Sequence, residues 1–479
     1  MFSRSLLLTD DDLQRIEDAA LRILAEAGMR FESEQLLDYL EAGGARIDPA
    51  RYRAFLSEEM VGRTLEALKP PTEEHDVARL VSREMGEEFS LDFGYEAFFL
   101  YDWPQKDRRG ADESDIIQLI KLGDVIPEVG TVGLPVLNSK TDQRIEALEA
   151  VALLLRYTGK HRGAGIRTPA QVPYMIEIDQ LLGYTATNPH FVQTGRCMIS
   201  PLSFGADACG IFEALIDNGY DKSLWVATMP IAGGTSPVTA AGTVVVLVAE
   251  VIGGWVLAKC INPEAVVEAS IISGAMDMRR VSASFAAPEA LLQDIATAEF
   301  FRRRYGIKVG YEPGYIDAKV PGLQAAYEKT YKQMALGLCL GPALTVGGLE
   351  GCATFSPTQA MLEIDLNQGL WRFFQGIDCS DERLATDEII TACNADLKSF
   401  MQTDHTLDNY REALWDPEFL LRGPWTDGAT EWTQANSLLD AADEKWRELL
   451  KQYEAPEVDE DQLREVEGII DRARAELCG

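Results

Sequence analysis

Histidine, paired cysteine and basic charge are all scarce in this chain, and each scarcity removes a class of function. The four histidines, His75, His161, His190 and His405, stand far apart, so nothing at ligand spacing advertises a zinc centre and no bound metal is expected. The eight cysteines, at 197, 209, 260, 339, 352, 379, 393 and 478, form no close-spaced pair, which argues against a disulfide scaffold or a zinc ribbon. No GxSxG elbow, phosphate loop or HExxH helix occurs, so the common hydrolase and nucleotide-binding readings lack support. Against 77 acidic side chains there are 44 basic ones, a net charge of −33. Such a field repels nucleic acid and anionic membrane and concentrates cations, although solubility is the simpler role of any single carboxylate. The N-terminus lacks a basic region followed by an apolar core and cleavage site, so a cytoplasmic location is expected.

What the chain does have is enough apolar surface, 46% of 479 residues, for one large domain with extensions. The most informative stretch is 224–261, LWVATMPIAGGTSPVTAAGTVVVLVAEVIGGWVLAKCI. Its first six residues are short, apolar and β-branched, as in a buried strand. Gly233 and Gly234 permit a tight turn, Ser236-Pro237 reads as an N-cap and first-turn proline, and a long apolar helix follows. A membrane span of about 20 residues is the rival reading of that helix. Glu250 inside it and the absence of a basic cluster at its start favour a helix buried in protein.

Residues 9–66 read as helical, with Thr9 and Asp10 as caps of a first helix and a second helix at 33–41. A polar, proline-rich break at 69–75 follows. Strand candidates then recur at 89–101, 128–134, 161–166, 191–200, 224–229, 265–273, 307–312 and 342–347, each followed by a helical pattern. Eight such alternations favour an α/β fold of the (β/α)8 TIM-barrel type over an open doubly wound sheet. The expected division is a helical N-terminal extension at 1–85, the barrel at 86–380 and a helical C-terminal extension at 381–479. Thr168-Pro169, Ser236-Pro237 and Ser356-Pro357, with Ala287-Pro288 as a variant, mark helix starts beyond the strands. In a barrel the loops on that side carry the active site, so 166–168, 231–236, 274–287, 312–319 and 347–356 are expected to converge.

Aromatic residues are concentrated near those loops. Phe93, Tyr95, Phe98, Phe99, Tyr101 and Trp103 share one short segment, and Phe285, Tyr311, Tyr315 and Phe355 lie on later loops. Aromatic faces attract a quaternary ammonium by about 2 kcal/mol or more when desolvated, although alternating aromatics are also what buried strands contain. Asp277, Arg279, Arg280, Glu312, Asp317, Lys319 and Glu350 accompany them. A carboxylate can complete a cation pocket and an arginine can clamp a carboxylate, while loop-holding salt bridges are the plainer alternative.

The segments MPIAGGTSPVTAAGTVVVLVAEVIGGWVLAKCINP, SGAMDMRR, GYIDAKVPGLQAAYEK and LTVGGLEGCATFSPTQAMLEID, with LYDWP, LGDVIPEV and HTL, resemble the trimethylamine methyltransferase family over about 90 to 420. The resemblance is to its non-pyrrolysine, glycine betaine methyltransferase-like branch, because no nonstandard residue occurs at or near 314–319. It implies a (β/α)8 corrinoid methyltransferase that passes a methyl group from a quaternary amine to the cobalt of a separate corrinoid (cobalamin) protein. No serine or cysteine nucleophile is then required; the work is positioning and electrostatics. Glu312 and Asp317 become the catalytic candidates. Phe93, Tyr95, Phe98, Tyr101, Phe285, Tyr315 and Phe355 become substrate-binding candidates, with Arg196, Arg279 and Lys319 for a betaine carboxylate. Gly233, Gly234, Thr235, Gly347 and Gly348 would leave room for the corrinoid. A homo-oligomer is expected, with neither nucleic acid nor membrane as partner. A zinc-dependent corrinoid methyltransferase and a non-catalytic amine-binding barrel are the alternatives.

Overall fold

The computed structural model of the protein describes residues 7–68, 89–161, 163–193, 195–395, 397–420, 422 and 435–479. The break expected at 69–75, and Trp425 and Trp432, lie outside them. The fold is mixed α/β, and its central pairing is parallel. Gly195–Cys197, Ser223–Thr228, Val266–Ile271 and Gly310–Tyr311 form one parallel sheet in that order. Leu91–Phe93 pairs in parallel with Val129–Val132, and single parallel bridges extend this pair, Asp92 to Thr345 on one side and Val132 to His161 on the other. Every expected strand segment therefore takes part in parallel pairing. No ladder among the described residues joins the two groups, so the pairing by itself does not close a barrel.

The register fixes what each face carries. Val226, Thr228 and Met198 face the long helix Ala240–Ile261: a Cβ on Gly254 would meet Val226 and Met198, and Thr228 bonds Glu250. Alternation then sends Cys197, Ala227 and Ser270, aligned across neighbouring strands, to the opposite face. Trp225 fills that face over Gly195, where any side chain would collide with its indole.

The helix Ala240–Ile261 has a mean hydropathy of 2.2 and is the one helix among the described residues long and apolar enough to span a membrane. It is instead enclosed by protein, with fifteen of its residues buried from Thr243 to Ala258. The N-terminal helix Asp10–Glu26 and strand Met29–Phe31 cover one side, with Leu24 and Met29 against Gly253. Trp255 packs edge-on against Phe301 of the helix Pro288–Tyr305 and donates to the Glu268 carbonyl at 3.1 Å. The start of this helix differs from the expectation. Ser236 bonds the Thr243 hydroxyl at 2.8 Å, so Thr239 caps the helix instead, accepting from the Gly242 N–H. Ser356 does cap Pro357–Phe374 through the Gln359 N–H, and Thr9 caps Asp10–Glu26 through Asp12.

Both ends of the chain are fastened to this body. The N-terminal region is helical as expected but adds three short strands, Met29–Phe31, Arg46–Asp48 and Arg53–Phe55, which pair antiparallel and join Ser203–Phe204 in parallel. The buried-exposed-buried alternation of Met29, Arg30 and Phe31 is what makes a strand there. At the other end, Glu460–Cys478 buries Leu463, Val466, Ile469, Ile470 and Ala473, while Tyr174 and Glu149 bond Glu476 and Arg474 on its polar side.

Glu250 is the point at which the helix is locked to the sheet. Fully buried, it accepts from the Ser200 hydroxyl at 2.9 Å, the Leu202 N–H at 2.7 Å and the Thr228 hydroxyl, while burial raises its carboxyl above the ordinary range. Glu250→Ala strands three buried donors, so a loss of about 2–4 kcal/mol in urea unfolding is expected, with a smaller loss for Glu250→Gln, which keeps an acceptor.

Candidate active site

The loops beyond the parallel strands are stitched to one another by backbone hydrogen bonds. Ile231–Ala232 pairs with Gly274–Asp277, which pairs with Ser282–Ser284. Asp317 then links 284–285 to 314–319, accepting from the Phe285 N–H at 2.7 Å and from the Ser284 hydroxyl. The Glu350 and Gly351 N–H groups donate to Ala318 and Ile316 at 2.9 and 2.7 Å, and the hairpin of Gly348–Leu349 and Thr354–Phe355 pairs with Phe99–Asp102. Of the five loops expected to converge, those at 231–236, 274–287, 312–319 and 347–356 are joined in this way.

At their centre Phe285 and Tyr315 stand edge to face, ring centroids 5.5 Å apart at 69°. Both are half-buried. Tyr95 lies beside them between two glycines: a Cβ on Gly314 would collide with its hydroxyl, and one on Gly348 would stand 3.1 Å from its ring. Glu312 accepts from the Ser270 hydroxyl at 3.2 Å on the face of the sheet that carries Cys197 and Ala227. Its negative charge helps to hold the Tyr95 and Tyr315 hydroxyls and the Cys352 thiol in their protonated forms, adding to the larger effect of burial, and acts in the same direction on the exposed Cys197 thiol. Aromatic rings, protonated hydroxyls and the Glu312 carboxylate thus gather in one region, a combination that suits a cation, and Lys329 Nζ already stands 5.9 Å from the Tyr95 ring centroid.

Below it lie two buried lysines. Lys329 Nζ donates to the Gly314 carbonyl at 2.9 Å and stands 3.7 Å from Glu363, neither side chain having any exposure. Glu363 accepts from the Gly347 N–H at 2.6 Å and from Gln359 at 3.0 Å. Lys332 Nζ donates to the Phe285 and Tyr315 carbonyls at 3.1 and 3.0 Å, so one ammonium joins the two residues that carry the ring pair. Burial lowers the Lys332 ammonium, and the nearby Asp294, wholly buried, is pushed up to about 7 by desolvation against the favourable charge of Lys332.

The other sequence candidates are dispersed. Phe93 and Phe355 are fully buried against each other, centroids 5.1 Å apart, as core, with Gly347 against Phe355. Tyr101 belongs to a separate cluster with Trp103 and Leu439, and Phe98 is 58% exposed. Arg279 is exposed, and Lys319 reaches out to Glu350 at 3.8 Å. Arg196, in register with Val226, alternates away from Cys197; burial lowers its guanidinium to about 10. Gly233, Gly234 and Thr235 make a tight turn in which Gly233 has φ +80° and the Thr235 hydroxyl accepts from the Ile231 N–H at 2.9 Å. Sequence reasoning missed Glu96, Arg167, Cys197, Asp294, Lys329, Lys332 and Glu363. Arg167 alone had a usable signal, its place in the loop at 166–168.

Comparison with known proteins bears on this geometry. The trimethylamine methyltransferase (MTTB) family profile matches residues 2–478. The chain belongs to this family. A glycine betaine methyltransferase of Desulfitobacterium hafniense is 25% identical over 466 residues, covering 95% of this chain and 94% of that one. A Methanosarcina mazei trimethylamine methyltransferase, MttB2, is 30% identical over 289 residues, 58% of this chain and only about half, 54%, of the relative's length. Among solved structures, the monomethylamine methyltransferase MtmB of Methanosarcina barkeri aligns over 92% of this chain and 94% of its own, with TM-score 0.41 and 12% identity.

Two measurements test the site's construction. Asp294 keeps its proton in the folded chain up to about pH 7, whereas unfolded aspartate releases it near pH 4. The stability this neutral carboxyl contributes is therefore fully present below about pH 4 and is lost as pH rises to about 7. Asp294→Asn is expected to flatten the pH dependence of denaturant unfolding across that window. Gly314→Ala is expected to displace the Tyr95 ring and to cost about 1–3 kcal/mol of stability in urea unfolding.

Proposed function

We propose that this protein transfers a methyl group from a quaternary amine, glycine betaine or a related betaine, to the reduced cobalt of a separate corrinoid protein. The observation that carries the reading is the half-buried Phe285–Tyr315 edge-to-face pair, with the Glu312 carboxylate close enough for its charge to act on the Tyr315 hydroxyl. Rings and carboxylate together favour a fixed positive charge, and a permanent methylammonium keeps that charge without needing a proton. Family membership and the glycine betaine methyltransferase relative point the same way.

The barrel is part of this proposal. The eight parallel segments are read as one closed (β/α)8 sheet, with joins between 161–166 and 191–200 and between 307–312 and 342–347 completing the pairing described above. Its mouth exposes apolar side chains, among them Met229 (44%), Val238 (69%), Met278 (67%) and Val281 (80%), as a surface that a docked partner would cover. The tight glycine turn at 233–234 leaves room there for a corrinoid face, and the corrinoid supplies the nucleophilic cobalt that accepts the methyl group. The chain's residues do the rest. Phe285 and Tyr315 hold the ammonium, Glu312 stabilises its charge, and Asp317 with Lys332 fixes the ring geometry. The departing amine is neutral, so the site needs no acid to protonate it; orientation and exclusion of water are the catalytic contributions.

Mixing the protein with Co(I) corrinoid and a panel of quaternary amines, followed by the visible absorbance of the corrinoid and by the demethylated amine, is expected to show transfer from at least one betaine. Transfer from none of them rejects the proposal. Tyr315→Ala is expected to raise KM about thirtyfold, equivalent to about 2 kcal/mol of cation–π attraction.

A further inference from the structure

A betaine carries a carboxylate as well as an ammonium, and the cations first considered for that carboxylate are turned elsewhere. Arg279 is exposed, Lys319 is 66% exposed beside Glu350, and Arg196 lies on the other face of its strand. Lys329 and Lys332 are sealed from solvent and engaged with main-chain carbonyls. Arg167 is different. It follows the parallel segment at 161–166, and its N–H donates to Gln171 Oε1 at 2.7 Å, which fixes the backbone. One end of its guanidinium is pinned, Nη2 donating to Glu96 Oε2 at 2.6 Å, while Glu96 Oε1 accepts from the Gly165 N–H at 2.6 Å. Glu96 is the immediate neighbour of Tyr95 and adopts φ +53°, a left-handed backbone that costs about 1 kcal/mol or more outside glycine. That strained residue holds Arg167.

The rest of the guanidinium is not consumed. Among the described residues only Nη2 makes a side-chain hydrogen bond, and the Arg167 side chain is 34% exposed. Tyr95, next to Glu96 in the chain, packs against Gly314 beside Tyr315, and the Glu96 charge acts on the Tyr315 hydroxyl, so Arg167 belongs to the same site as the ring pair. The Cys197 thiol feels both Arg167 and Glu312. The site thus holds both a guanidinium edge not used by the described residues and, acting on Tyr315, the Glu312 carboxylate.

We propose that Arg167, held in place by Glu96, is a specificity-determining residue that selects quaternary amines bearing a carboxylate over simple tetraalkylammonium ions. The inference rests on the quaternary-amine reading of the same site. A carboxylate would meet the unused N–H edge in the paired geometry that arginine favours, while the ammonium sits against Phe285 and Tyr315. Glu96 orients the guanidinium and balances its charge before the ligand arrives.

Calorimetric titration of the full chain with glycine betaine and with tetramethylammonium separates the two ends of the site. The unaltered protein is expected to bind glycine betaine at least tenfold more tightly. Arg167→Gln is expected to lose tenfold or more toward glycine betaine while its affinity for tetramethylammonium changes less than twofold, and Arg167→Lys is expected to recover part of the loss. Equal affinity of the unaltered protein for both ions, no loss in Arg167→Gln, or equal losses toward both ions overturns the inference while leaving the quaternary-amine reading intact. Failure of the unaltered protein to bind either ion removes that reading and this inference with it.

Discussion

The candidate site depends on one constraint: two lysine ammonium groups with no access to water must be satisfied by the loops above them. An ammonium in that position costs several kcal/mol unless it is paired and hydrogen-bonded. Lys329 meets the demand with Glu363 and the Gly314 carbonyl, and Lys332 with the carbonyls of Phe285 and Tyr315. Because those carbonyls belong to the residues that carry the ring pair, the electrostatic requirement of the interior and the spacing of the aromatic rings become one geometric condition. Asp317 closes the same arrangement from above, and Glu328 in turn receives the Asp317 and Ala318 N–H groups at 2.8 and 2.9 Å.

Supporting a loop from beneath in this way lets it be open and rigid at once. The hairpin at 348–355 turns through three successive residues with positive φ, Glu350, Gly351 and Cys352, a conformation that persists only when neighbours over-determine it. The hydrogen bonds to Ala318 and Ile316 do so, as does the carboxylate of Glu350, which binds Arg108 and accepts from Thr354 at 2.9 Å. Glu350, one of the charged loop residues noted in the sequence, therefore serves the loop's own shape. Arg167, by contrast, keeps part of its donor set without a partner among the described residues, its side chain 34% exposed.

The inverted helix Leu323–Leu340 shows why this framework escaped sequence reading. Its lysines, Lys329 and Lys332, face inward with Gln333 and Leu336, while Leu323 (90% exposed), Tyr327 (69%) and Tyr331 (38%) face solvent. Hydrophobic periodicity assigns the apolar residues to the core and the lysines to water, and here the polar interior reverses the assignment. Phe93 and Phe355 failed in the opposite direction. Phe93 shares a segment with Tyr95 and Phe355 lies in the loop at 347–356, yet both point into the core. Helix caps were more legible, because the signal is local: Thr9 and Ser356 cap, whereas Ser236 is displaced by a competing bond to Thr243 and Thr168 starts only a short 3-10 turn, its hydroxyl without a hydrogen-bond partner.

By itself the sequence determined the elements: where apolar β-branched runs become parallel strands, where hydroxyl and proline residues start helices, and which loops lie beyond the strands. It also carried the family resemblance, because those motifs are contiguous in the chain. What only the tertiary structure decided is which side chains meet. Phe285 and Tyr315 are thirty residues apart, Arg167 and Glu96 about seventy, and Lys329 reaches Glu363 from another helix. Such encounters depend on strand register and on the demand of buried charge for a partner, and neither is written in local propensity.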